Sequence, residues 1–111
     1  MSNGNKLFQA HTPLGHQAEL DYTTFDIHII LRGKRFGWAR PSAFEIRESV
    51  EGPSEVRKSE KELSTYIYVK PVGMAGGTQW YTVSLLRTTD NRVVSSYNAT
   101  SYAQKGPKVW P

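Results

Sequence analysis

Three histidines, fourteen lysines and arginines, ten carboxylates and many hydroxyls are the reactive inventory of this 111-residue chain, which has no cysteine. Without cysteine there are no disulfides, thiolate nucleophiles or Cys-ligated zinc sites. What is left suits proton transfer beside a phosphate. One histidine or glutamate, one or two cations and a few hydroxyls suffice to move protons and stabilise a charged phosphorane without a metal. His28 is the first candidate, because it sits in an ordered apolar segment next to a basic loop and an imidazole titrates near neutrality. The alternative is a structural histidine at the edge of a strand or helix. His11 and His16, five apart, read as exposed turn residues, and no third ligand at suitable spacing makes them a metal pair.

Cations interleaved with aromatic rings form a second set. Arg32, Lys34, Arg35 and Arg40 alternate with Phe36 and Trp38, combining phosphate neutralisation with a platform for base stacking. The competing reading packs Trp38 inward and leaves the cations in water. Tyr66, Tyr68 and Lys70 fall on one face of a strand and offer another such surface. Arg87 stands where a hairpin turns, and Ser95, Ser96 and Tyr97 bring hydroxyls to the returning strand, where a phosphate could bind.

The elements that must position these groups can be read from periodicity. Residues 1–24 are polar and read as irregular, with a short helical turn near 16–20. FDIHIIL, 25–31, alternates like a strand, although a buried helix reads similarly over so short a window. The basic stretch 32–41 reads as a loop. Ser42 and Glu45 form a capping box that opens a helix, Ile46 and Val50 give it an apolar face, and Gly52-Pro53 stops it. In LSTYIYVK, residues 63, 65, 67 and 69 share one face and residues 66, 68 and 70 the other. PVGMAGGT reads as a glycine-rich loop. QWYTVSLLR and RVVSSYNAT make an antiparallel hairpin around TTDN. The tail is basic, and Trp110 is its anchor.

These elements predict one α+β domain, with one or two helices packed on a twisted antiparallel sheet of about four strands. Residues 1–24 form an irregular N-terminal segment and residues 25–111 the domain itself. Charge is unevenly spread within the net +4. Six glutamates crowd residues 45–62, whereas Asp90 is the only acid beyond them. A basic sheet beside an acidic helical segment suits a polyanion on one face and solvent on the other. No apolar run is long enough for a membrane-spanning helix.

The order of motifs adds a resemblance. HI at His28 and Ile29, a basic loop, a helix leading into Pro53, Val56 and Ser59, the VVSSY strand and the Lys105-Gly106 … Trp110 tail follow one another. This succession resembles the phage-barnase-type branch of the barnase–EndoU–colicin–RelE superfamily of small ribonucleases, over roughly residues 25–110. The resemblance implies a metal-independent endoribonuclease, without a cofactor, that cleaves cellular RNA such as tRNA by acid–base transesterification. It implies His28, Arg57, Ser95 and Tyr97 as the catalytic set. Arg32, Lys34, Arg35, Trp38, Ser59, Tyr66, Tyr68, Arg87 and Lys105 would bind substrate. Where the family often has a second histidine after its HI element, LRGKRF supplies only cations, and Ser95 replaces a threonine.

Members of the superfamily are commonly toxin domains of bacterial competition. The resemblance therefore also implies action in the cytoplasm, delivery as the C-terminal domain of a secreted or phage-encoded protein, and an acidic immunity or antitoxin partner. Two other readings stand beside it: a non-catalytic binding module for RNA or single-stranded DNA, and a structural or interaction domain of a phage or secretion system.

Overall fold

The computed structural model describes residues 6–31, 40–101 and 106–111, without the His28 side chain. Among them are two short helices and a mixed sheet of seven strands, and about half of the described residues are strand. The expected α+β arrangement of helices on about four antiparallel strands is thereby overturned. Three segments depart from the expectation, and two short strands, Glu55–Lys58 and Lys108–Trp110, add to the count.

The first is the N-terminal segment. Lys6–His11 (β1) and Gln17–Asp21 (β2) pair antiparallel around a turn in which Thr12 N donates to His16 O and Gly15 N to Thr12 O. Phe8, Ala10, Ala18 and Leu20 alternate into the core. Two of these four are alanines, whose small apolar surface gives little strand signal in sequence. The second segment is Thr24–Leu31 (α1), which winds as a π-helix rather than a strand. Asp21 Oδ1 accepts from Thr24 N at its start, and Phe25 and Ile29, four apart, pack on the core.

The third is PVGMAGGT, which is strand on both sides of a turn. Thr65–Ala75 (β4) and Thr78–Arg87 (β5) pair continuously out to Ala75 and Thr78. Gly76 and Gly77, with φ of 61° and 77°, supply the left-handed pair that a tight two-residue hairpin turn requires. Pro71 is tolerated because the ribbon's outer edge is not paired with β3 there.

Helix α2 (Ala43–Glu51) has the expected capping box: Ser42 Oγ accepts from Glu45 N and Glu45 Oε1 from Ser42 N. Ile46, Ser49 and Val50 are buried, and Gly52 N closes the helix on Glu48 O. Glu55–Lys58 (β3), Arg92–Ala99 (β6) and Lys108–Trp110 (β7) complete the sheet, in the order β1-β2-β6-β5-β4-β3-β7. All neighbours are antiparallel except β2 and β6, which meet in parallel at Glu19 and Arg92.

The sheet has two unlike faces. On one, α1, α2 and the β1–β2 hairpin bury Val56, Tyr68, Leu86 and Val93 against Phe8, Leu20, Ile29, Ile46 and Val50, with Trp110 packed at the side. Val93 reaches this face because β6 holds a bulge opposite Leu85 and Leu86, which shifts its alternation by one residue. The other face carries a smaller cluster of Ile67, Val69 and Val83, flanked by Tyr81, Leu85 and Tyr97. Neither helix lies on it among the described residues.

Candidate functional site

Strand register assembles the candidate site on the helix-free face. Glu55 and Arg57 are two apart in β3, so their side chains leave on the same side. Arg57 pairs with Ile67, Ile67 with Leu85, and Leu85 with Ser95, making one row across four strands. The next row runs Glu55, Val69, Val83, Tyr97. Each row crosses three strand spacings of ~4.8 Å, about 14 Å in all. A carboxylate and a guanidinium thus stand on one side of a small apolar floor, and a phenol and a hydroxyl on the other. Lys108 on β7 pairs with Arg57 and adds an exposed cation.

Arg57 is held rather than loose. Its Nε donates to Glu55 Oε2 at 2.7 Å and its Nη1 to Gly106 O at 3.2 Å. Tyr97 is half-buried and packs on the apolar cluster; desolvation pushes its phenol above the usual value, so it is a neutral donor at physiological pH. Chemically, the face combines a proton acceptor, a cation shaped for phosphate, and hydroxyl donors.

The other expected site residues lie elsewhere. Tyr66 and Tyr68 are on the covered face, where Tyr68 is fully buried in the core. Alternation separates the two faces of β4 correctly, but it does not say which one the hairpin and helices cover. Lys70 binds Glu48 of α2 at 3.2 Å. Ser59 Oγ accepts from Lys61 N and Glu62 N and so fixes the turn before β4. Arg87 makes two hydrogen bonds to Asp90, of 3.0 and 2.7 Å, which hold that carboxyl below the usual carboxylate range. His28 belongs to α1, whose Ile29 is in the covered-face core; its side chain lies outside the described residues, as do Arg32, Lys34, Arg35, Trp38 and Lys105. Of the expected catalytic set, Arg57, Ser95 and Tyr97 share a face.

Glu55 is the residue that sequence reading passed over. The acidic run from Glu45 to Glu62 hid it among solvent-facing charges, although the Glu-x-Arg spacing within a strand was the available signal. His16, read from sequence as an exposed turn residue, is half-buried: its ring lies 5.1 Å from that of Tyr66, over which Lys58 Nζ sits at 5.4 Å.

Among the described residues no three histidine or acidic side chains converge as metal ligands, and no helix is long and apolar enough to cross a membrane. Comparison of the chain with protein-family models, curated proteins and solved structures gave no match.

Proposed function

We propose that this domain is a metal-independent endoribonuclease whose substrate lies on the helix-free face. The observation that carries the reading is the Glu55–Arg57 pair, held at 2.7 Å on the face that also bears Ser95 and Tyr97. The order of motifs, which resembles the phage-barnase-type ribonucleases and first pointed to Arg57, Ser95 and Tyr97, also supports it. In this reading Glu55 takes the proton of a ribose 2′-hydroxyl, whose oxygen then attacks the adjacent phosphorus. Arg57 stabilises the charge that gathers on the phosphorane oxygens. The bond to the 5′-oxygen breaks as Tyr97 supplies a proton, leaving a 2′,3′-cyclic phosphate and a 5′-hydroxyl. Ser95, about 14 Å from Arg57 along their row, hydrogen-bonds a neighbouring phosphate of the bound strand. An acidic immunity or antitoxin protein would cover the same face.

A second reading is a module that binds RNA or single-stranded DNA without cutting it. The width of the face favours this one, since about 14 Å separates Arg57 from Ser95 along their row. Incubation with total RNA in EDTA between pH 5 and 8 separates the two. Cleavage that disappears in Arg57→Ala and Glu55→Gln supports the nuclease. Binding that weakens steeply with salt, with no products at any pH, removes the nuclease and leaves the binding module.

A further inference from the structure

The β4–β5 ribbon outruns the strands beside it, and the ribonuclease reading does not use its far end. Pairing with β3 stops at Val69, and pairing with β6 stops where Tyr81 meets Ala99. Beyond them residues 71–80 form a two-stranded arm without a charged side chain. A cleft of about 300 Å³ lies along it, lined by Val72, Gly73, Met74, Ala75, Trp80 and Asn98. That volume is at the small end of the range for organic-ligand sites. The bulge at Val72 sets Gly73 opposite Trp80. A Cβ built on Gly73 would meet nothing within 4 Å among the described residues, so the space over it is open.

Two half-buried side chains give the cleft its chemistry, Trp80 and Asn98. Trp80 is two residues from Thr82 in β5, and Asn98 pairs with Thr82. Indole and amide therefore leave the same side of the sheet as diagonal neighbours. Such a diagonal holds Cβ atoms roughly 7–8 Å apart, within reach of one planar ring. Asn98 Oδ1 accepts from Thr82 Oγ1 at 2.7 Å, and its Nδ2 donates to Glu45 Oε1 at 3.4 Å. An amide has two acceptor sites and two N–H donors, so one of each remains. An indole face beside a donor and an acceptor fits a flat, uncharged ring with an amino group next to a ring nitrogen. Asparagine reads that pattern bidentately in adenine. The Glu45 carboxylate next to the amide favours an amino group there over a carbonyl oxygen, and a purine covers more of the indole than a pyrimidine does.

We propose that this cleft binds an adenine base, from a free nucleoside or from a nucleic-acid strand, stacked on Trp80 and read by the Asn98 amide. The N6 amino group donates to Asn98 Oδ1, and N7 accepts from its Nδ2. Val72 and Met74, 38% and 65% exposed, supply the apolar rim. The site lies on the opposite side of the sheet from Arg57 and Tyr97 and does not rest on the ribonuclease reading.

The test is an NMR titration of the full chain with adenosine, following the Trp80 indole N–H and the Asn98 side-chain amide. Saturable shifts at both are expected, with Kd at least fivefold below that for uridine. Kd should rise at least fivefold in Asn98→Ser and at least tenfold in Ala75→Leu, which adds bulk to the cleft from an exposed position. An all-deoxy oligoadenylate that binds at least tenfold tighter than adenosine assigns the base to a strand, and equal affinities assign it to a free nucleoside. Shifts that do not saturate at millimolar adenosine, uridine binding as tightly as adenosine, or variants that bind like the wild type overturn the site. Asn98→Ser loses hydrogen bonds to Thr82 and Glu45, so its fold is checked by its amide spectrum. Ala75→Leu, on the exposed arm, decides the matter if that variant unfolds. Adenosine has no phosphodiester to cut, so the outcome is independent of whether the other face cleaves.

Discussion

Glu55 Oε2 and Arg57 Nε lie 2.7 Å apart on one side of β3, with side chains 15% and 18% exposed. A charge-assisted bond this sheltered holds both groups in one geometry before any substrate arrives. Removing the cation takes a charged partner away from a half-buried carboxylate. Arg57→Ala is therefore expected to lower stability by about 1–3 kcal/mol in urea denaturation, with Glu55→Gln costing less because its amide oxygen still accepts. In the cleavage assay Arg57→Ala should lose on the order of 10²-fold or more in rate, as for removal of one charge-stabilising group.

A chain of hydroxyls joins α2 to the sheet. Ser49 Oγ lies 2.7 Å from Ser84 Oγ, which lies 2.9 Å from Ser96 Oγ. The ends of the chain donate to Ile46 O and Val83 O. Each hydroxyl has one proton, so with both ends donating to carbonyls Ser84 donates to only one of its two neighbours at a time. Ser84→Ala should destabilise by about 0.5–1.5 kcal/mol, measured by chemical denaturation, because it removes a buried hydrogen bond while Ser49 and Ser96 keep their carbonyl acceptors. A loss below a few tenths would show that the chain is not a coupled unit.

Alkaline pH should weaken the fold through two phenols. Tyr68 and Tyr97 both have pKa values raised by burial above the usual 10.0. In the unfolded chain they ionise first, so the stability they contribute is fully present below about pH 10 and falls as pH rises through the folded-state values. Stability measured from pH 8 upward should stay level and then drop. The drop should be shallower in Tyr68→Phe and Tyr97→Phe; an unchanged slope in both would place the alkaline loss elsewhere.

Gly106 sets the entry to β7. Its φ is 98°, and a Cβ there would run into the Lys58 carbonyl oxygen. Gly106→Ala is expected to cost about 1–3 kcal/mol through strain and to loosen the pairing of Lys58 N with Pro107 O. Amide hydrogen exchange at Lys58 reads that pairing directly, and wild-type protection in the variant would contradict it.

Local signals were legible where one residue type admits one conformation. Ser42 with Glu45, and Gly52 with Pro53, bounded α2, and alternation found β5 and β6. Signals failed where tertiary context decided. Ala10 and Ala18 are buried but carry little apolar surface, so β1–β2 went unseen. Phe25 to Leu31 fits a strand by alternation and a wide helix by the four-residue spacing of Phe25 and Ile29. The bulge in β6 moved Val93 to the opposite face from the one simple alternation assigns. Of the site, the hydroxyls at Ser95 and Tyr97 could be read, whereas the partner of Arg57 could not, because Glu55 is one of six glutamates in its stretch.

The direct test of the proposed RNA face is an NMR footprint with an oligonucleotide whose 2′-hydroxyls are absent, so that it binds without being cut. Shifts concentrated at Glu55, Arg57, Ser95 and Tyr97, lost in Arg57→Ala, are the predicted result. Shifts confined to other surfaces, or none at millimolar oligonucleotide and low salt, would contradict the assignment of this face.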